Sequence, residues 1–159
     1  MDWTLFFIFL ITCGAAGAGG ALFPPGDWYA RLTKPDWTPP DWAFPVAWSA
    51  IYLLISFAGA RAGATQGGGL ALAFWAMQAG FSTLWTPLFF GLRRMRAALF
   101  VLCILWLAVL GALIAHFRVD FWAGLAFLPY LGWLSLAGAL NLAVIRLNPR
   151  EAALHPHRM

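Results

Sequence analysis

The sequence predicts an all-α membrane protein, a five-transmembrane-helix bundle with a Pro/Trp-rich first loop set over one end as a lid. Three observations lead there. Of 159 residues 62% are hydrophobic, and mean hydropathy is +0.76. Only 10% are charged, against about 25% in a typical soluble domain. The acids Asp2, Asp27, Asp36, Asp41, Asp120 and Glu151 all lie outside or at the edge of apolar runs, where hydrocarbon does not penalise them.

Five apolar runs, 3–23, 44–63, 69–91, 97–115 and 121–145, are long enough to cross about 30 Å at a rise of 1.5 Å per residue. With the loop 24–43 and a short tail 146–159 they make one transmembrane domain, 1–159. In the first run Ala16-Gly17-Ala18 resembles a signal-peptide cleavage site, but Met1-Asp2-Trp3 carries no cation, so the run is read as a retained helix. In the second, Pro45 suits a first helical turn and Arg61 is placed to snorkel. Pro87 and Pro129 are expected inside the third and fifth helices, as kinks or as packing relieved by Thr83 or Thr86. Cys13 and Cys103 read as small hydrophobes.

Small residues, Gly14, Gly17, Ala18 and Gly20, then Gly59 and Gly63, then Gly111 and Ala115, recur at helix-packing intervals. They suit packing within one bundle or a homodimer seam. Orientation follows from the cations. With five spans, Arg31, Lys34, Arg93, Arg94, Arg96, Arg146, Arg150 and Arg158 share one side, and only Arg61 and Arg118 face the other. The positive-inside rule puts the first loop and C-terminus in the cytoplasm and the N-terminus outside, for an inner membrane. The formal charge of +4 is therefore a matter of orientation, and nucleic acid is not expected as a partner.

The segment Lys34-Pro35-Asp36-Trp37-Thr38-Pro39-Pro40-Asp41-Trp42-Ala43-Phe44-Pro45 has four prolines, which predict a stiff, partly polyproline II loop. It reads either as an interfacial tryptophan belt or as a semi-rigid lid over a cavity. Three aromatic faces repeat at helical spacing below it: Trp48 and Tyr52; Trp75, Gln78, Ser82, Trp85 and Phe89; Tyr130, Trp133, Ala137 and Asn141. Trp48, Tyr52, Trp85, Ala137 and Asn141 lie on the order of 5 to 12 Å from the loop end. Such faces are either core or the lining of a pocket for a large flat apolar ligand. No titratable group occupies the middle of a span, which argues against a pump or voltage sensor. His116, His155 and His157 are read as peripheral, so axial haem ligation and a metal site are not expected. No catalytic triad or carboxylate pair can be assembled at membrane depth.

At these residues the chain resembles the tryptophan-rich sensory protein family, TspO, also called translocator protein or peripheral benzodiazepine receptor, and looks like a bacterial member. The motifs are Trp28-Tyr29, Lys34-Pro35-x-Trp37-x-Pro39-Pro40-x-Trp42, Phe44-Pro45-x-x-Trp48-x-x-x-Tyr52, Gln78, Trp85-x-Pro87-Leu88-Phe89-Phe90-Gly91, Pro129-Tyr130-Leu131-x-Trp133, Leu140-Asn141 and Asn148. The resemblance implies a five-helix bundle, usually a homodimer, that binds porphyrins and in some members sterols or drugs. It puts Trp48, Tyr52, Trp85, Trp133 and Ala137 in the ligand site, with Trp37 on the loop above.

It implies a sensor, receptor or transporter in tetrapyrrole and carotenoid pigment metabolism, with porphyrin as ligand and no required cofactor. The alternatives are light- and oxygen-dependent porphyrin degradation, which would fall to Trp48 and Trp133, and a structural subunit contacting pigment–protein complexes. Two departures stand out. Phe81-Ser82 replaces the family's Leu-Asn, and Leu142, Ala143, Val144 and Ile145 leave no aromatic for the proposed cholesterol motif between Leu140 and Arg146.

Overall fold

A computed structural model describes residues 1–153, so the expectations for His155, His157 and Arg158 fall outside the described residues. Among the described residues the regular structure is helical: α1 (Trp3–Gly17), α2 (Gly19–Leu22), α3 (Asp27–Arg31), α4 (Ala43–Gly63), α5 (Gly69–Thr86), a π-helical turn (Pro87–Gly91), α6 (Met95–Val119), α7 (Phe121–Leu125), α8 (Leu128–Leu147) and α9 (Pro149–Ala153). Four helical stretches are long and apolar enough to cross a membrane: Trp3–Leu22, Ala43–Gly63, Met95–Val119 and Phe121–Leu147. The expected run 69–91 is helical but falls outside that set. Trp75, Gln78, Ser82, Thr83, Trp85 and Thr86 dilute its apolar character.

Local chemistry explains the interruptions. Asp2 caps α1, its carboxylate accepting from the Leu5 amide at 3.0 Å. The first run breaks at Ala18, amid glycines. Pro87 supplies no amide, and beyond it the Leu92 amide reaches back five residues to the Pro87 carbonyl at 2.8 Å. Pro129 does not kink a helix, contrary to expectation. The last run divides after Leu125, and Pro129 falls in the first turn of α8, where a missing amide costs no hydrogen bond. Ahead of the proline-rich stretch the first loop holds the five-residue helix α3, with Asp27 and Arg31 as charges suited to its two ends.

Small residues work inside the bundle. A Cβ on Gly59 would sit 3.0 Å from the Phe9 ring, and one on Gly111 only 2.4 Å from Phe74. These are the close approaches of α1 to α4 and of α5 to α6, where a methyl group forces helices apart. A core of Ile51, Ile55, Trp75, Leu105, Phe127 and Tyr130 fills the bundle middle. A second cluster at the loop end joins Trp28 and Leu32 to Phe89, Met95, Leu140 and Val144.

At the opposite end Arg61 pairs with Asp120. Asp120 also caps α7, accepting from the Ala123 amide at 2.8 Å. His116 is not peripheral: it is 0% exposed, with Nδ1 2.7 Å from the Ala112 carbonyl and its ring 4.6 Å from that of Phe127. It shares the buried face of Leu105, Val109 and Ala112, so the helical period takes it inward although it stands near the helix end.

The hydrogen bond from Arg61 holds the Asp120 carboxyl below the usual carboxylate range, helped by the Ala123 amide. A depressed carboxyl stabilises the fold fully above its unfolded value of about 3.9, and the benefit fades as pH falls through the lower folded value. Asp120→Ala is expected to cost about 1–3 kcal/mol at neutral pH, through the lost cap and the abandoned guanidinium. Thermal melts in detergent should show wild type and variant converging on acidification.

Candidate ligand site

The predicted aromatic faces touch in separate groups: α4 meets α8 through Trp48 and Tyr130, and α5 meets α8 through Trp85 and Asn141, while Trp75 packs on Phe9. Trp48 and Tyr52, one turn apart on α4, have ring centroids 5.5 Å apart, and the Trp48 ring meets Tyr130 of α8 edge-on at 5.8 Å. Tyr130 is 1% exposed and its hydroxyl has no hydrogen-bond partner. Ser82 of α5 faces that hydroxyl without reaching hydrogen-bond geometry. Close approach on the α1 side is possible because Gly17 lacks a side chain; a Cβ there would lie 2.9 Å from the Tyr52 ring.

A polar relay ties three further elements together. The indole Nε1 of Trp85 donates to Asn141 Oδ1 at 3.3 Å, and Asn141 Nδ2 donates to the Met95 carbonyl at 3.2 Å. Trp85 also stacks on Phe89, with centroids 5.0 Å apart and planes at 16°. Asn141 is buried, so both ends of its amide are satisfied where water does not compete.

Trp133 meets Phe44 edge-on at 5.5 Å, and Ala137, one turn further along α8, is half-buried against the main core. Gln78 is buried. Trp37 stands apart, 50% exposed on the loop. Rings meet rings throughout this region, and two clefts among the described residues lie elsewhere: one beside α3, and one around Met1, Asp2 and Arg61.

Sequence reasoning missed the fastening of the loop. The Thr33 amide donates to Asn148 Oδ1 at 2.9 Å, while Asn148 Nδ2 donates to the Thr33 carbonyl at 2.8 Å, as a paired strand would. Trp28 Nε1 donates to Glu151 at 3.1 Å. Lys34 lies 4.5 Å over the Tyr29 ring. Burial, and the Asp41 carboxylate, push the Tyr29 phenol up. The pairing of Asn148 with Thr33 spans 115 positions, so spacing gave no signal; the pair of aromatics in Trp28-Tyr29 did mark a segment with something to bury.

The TspO/MBR family model matches residues 7–147. The chain belongs to the TspO/MBR family. It is 50% identical over 148 residues to the tryptophan-rich sensory protein of Cereibacter sphaeroides, covering 93% of this chain and 94% of that one. Protein CrtK of Rhodobacter capsulatus is also 50% identical, over 155 residues, covering 95% and 97%. The human translocator protein is 31% identical over 137 residues, 81% of each chain. This TspO/MBR chain is accordingly an integral membrane protein with apolar spanning helices.

Asn141→Ala tests the relay. It strands the Trp85 indole N–H in an apolar setting, at a cost of about 1–3 kcal/mol. A lower melting temperature and an altered tryptophan emission spectrum are expected; unchanged emission would mean that Trp85 is held by stacking on Phe89 alone.

Proposed function

We propose that the chain is a membrane receptor, sensor or transporter for tetrapyrroles, binding a porphyrin between α4, α5 and α8 below the first loop. The supporting observation is that the half-buried Trp48, Trp85 and Trp133 all pack against the main core, Trp48 against Tyr130, whose hydroxyl is unpartnered. Aromatic side chains packed on each other can exchange ring partners for a flat ligand at little cost in contact area. Trp48, Tyr52, Trp85, Trp133 and Ala137 would line the ligand, with Tyr130, Ser82, Asn141 and Gln78 as the polar members of the faces and Trp37 on the loop above.

The helix and π-helical turn over 69–91 form a fifth crossing, sheltered by neighbours that let it carry more polar residues than the other four. The single transmembrane domain spans 1–159, as a homodimer, with N-terminus outside and C-terminus in the cytoplasm. The first loop, held by Asn148 and Trp28, serves as the lid. Family membership and the relatives named tryptophan-rich sensory protein and CrtK support a regulatory role in tetrapyrrole and carotenoid metabolism. Tryptophans packed inward favour a pocket over a surface for pigment–protein partners.

Protoporphyrin titrated in the dark should quench tryptophan fluorescence saturably. Trp48→Ala or Trp133→Ala should weaken binding by about threefold to tenfold, the equivalent of one lost aromatic contact. Equal affinities in wild type and both variants would overturn the assignment.

A further inference from the structure

A cleft of about 340 Å³ lies outside the aromatic cluster, lined by Pro24, Gly26, Asp27, Trp28, Arg31, Phe90 and Arg93. It sits where the first spanning helix has just ended at Leu22 and before α6 begins at Met95. The exposed Leu22 and Phe23 mark its neighbourhood as the edge of the hydrocarbon. Arg93 adopts a left-handed backbone (φ 55°), and its guanidinium lies 5.7 Å over the Trp28 ring. A non-glycine residue in that region carries strain, and here the strained residue presents one of the cleft's two cations.

Among the described residues the charges of this cleft have no salt-bridge partner. Among the described residues the one salt bridge is Arg61–Asp120 at the far end of the bundle, so neither Arg31 nor Arg93 has a carboxylate partner. Asp27, on α3 with Arg31, has no cationic partner among the described residues either. Glu151 is occupied by the Trp28 indole N–H. Two guanidiniums, a carboxylate and an aromatic face at the headgroup level match one chemical class. The guanidiniums fit a phosphate diester, and the carboxylate accepts from a donor beyond it.

We infer that the cleft beside α3 is a binding site for the headgroup of a phospholipid, with Arg31 and Arg93 on the phosphate and Asp27 on the terminal group. A headgroup that donates hydrogen bonds, such as ethanolamine, satisfies Asp27; choline, whose nitrogen carries no hydrogen, does not. Phosphatidylethanolamine is therefore preferred to phosphatidylcholine.

Native mass spectrometry of the full-length protein from nanodiscs of equal parts phosphatidylethanolamine and phosphatidylcholine tests this. Wild type should retain phosphatidylethanolamine severalfold over phosphatidylcholine. Arg31→Gln with Arg93→Asn should lose about tenfold of the retained lipid, on the scale of one or two charge-assisted contacts; asparagine tolerates the left-handed backbone at 93. Arg31→Gln alone gives the same direction should the pair fail to fold. Asp27→Asn should narrow the preference between the two lipids while leaving phospholipid bound. Arg146→Gln with Arg150→Gln, which removes as much charge elsewhere, should retain lipid as wild type does. Undiminished retention in the Arg31 and Arg93 variants overturns the site, and so does equal loss in the Arg146 and Arg150 variant. Displacement by free glycerol phosphate at concentrations matching the lipid would overturn the lipid assignment in favour of a soluble phosphate ester.

Discussion

Hydrocarbon offers no hydrogen bonds, so each polar side chain in the spanning helices must find its partner within the protein. Much of the interior follows from that constraint. Thr12 donates to the Ile8 carbonyl, Ser56 to Tyr52 and Ser135 to Leu131, each one turn back along its own helix. Longer side chains reach neighbours instead: Trp75 donates to the Ile55 carbonyl at 2.8 Å, and Trp106 to Ser135 at 2.9 Å. The indoles thus fix the relative height of adjacent helices, as well as supplying area. The relay from Trp85 through Asn141 to Met95 does so for α5, α6 and α8 together.

Departures from this rule are few and grouped by depth. The Tyr130 hydroxyl is unpartnered in the middle of the aromatic cluster, and His116 Nε2 and Arg61 Nε are unpartnered toward the opposite end. An orphaned polar atom lowers stability by about 1–3 kcal/mol, and apolar packing around Phe127 and Leu105 has to offset it. The unpartnered atoms thus fall in the bundle middle, at Tyr130, and toward the Arg61–Asp120 end.

The sequence made the spanning runs legible because a bilayer imposes length and polarity on them directly. Trp48, Tyr52 and Tyr130 could be grouped for the same reason: helical period and depth together determine which faces meet. Proximity to a helix end points His116 outward, whereas its spacing of four from Ala112 and seven from Val109 assigns it to a buried face. The helix α3 was too short for periodicity to reveal, and Pro129 was read against a run that Leu125 had already ended. The clamp of Asn148 on Thr33 depends on where two distant backbones come to lie, which no local pattern encodes. Nor does a stripe of aromatics say whether its rings hold each other or a ligand, and that part of the site rests on binding.

The π-helical turn at Pro87–Gly91 acts as a phase shifter. It accommodates one residue more than an α-helical path would, so Phe89 turns into the core while the chain still arrives in register for α6. Loss of a single residue within the turn would restore ordinary α-helical pairing and leave both flanks facing as they do now. The same loss at Trp75 would rotate everything beyond it by about 100°, so that Gln78, Ser82 and Trp85 would turn together away from their present neighbours. Change of length is thus tolerable at this turn, which adjoins Trp85 and its stack on Phe89.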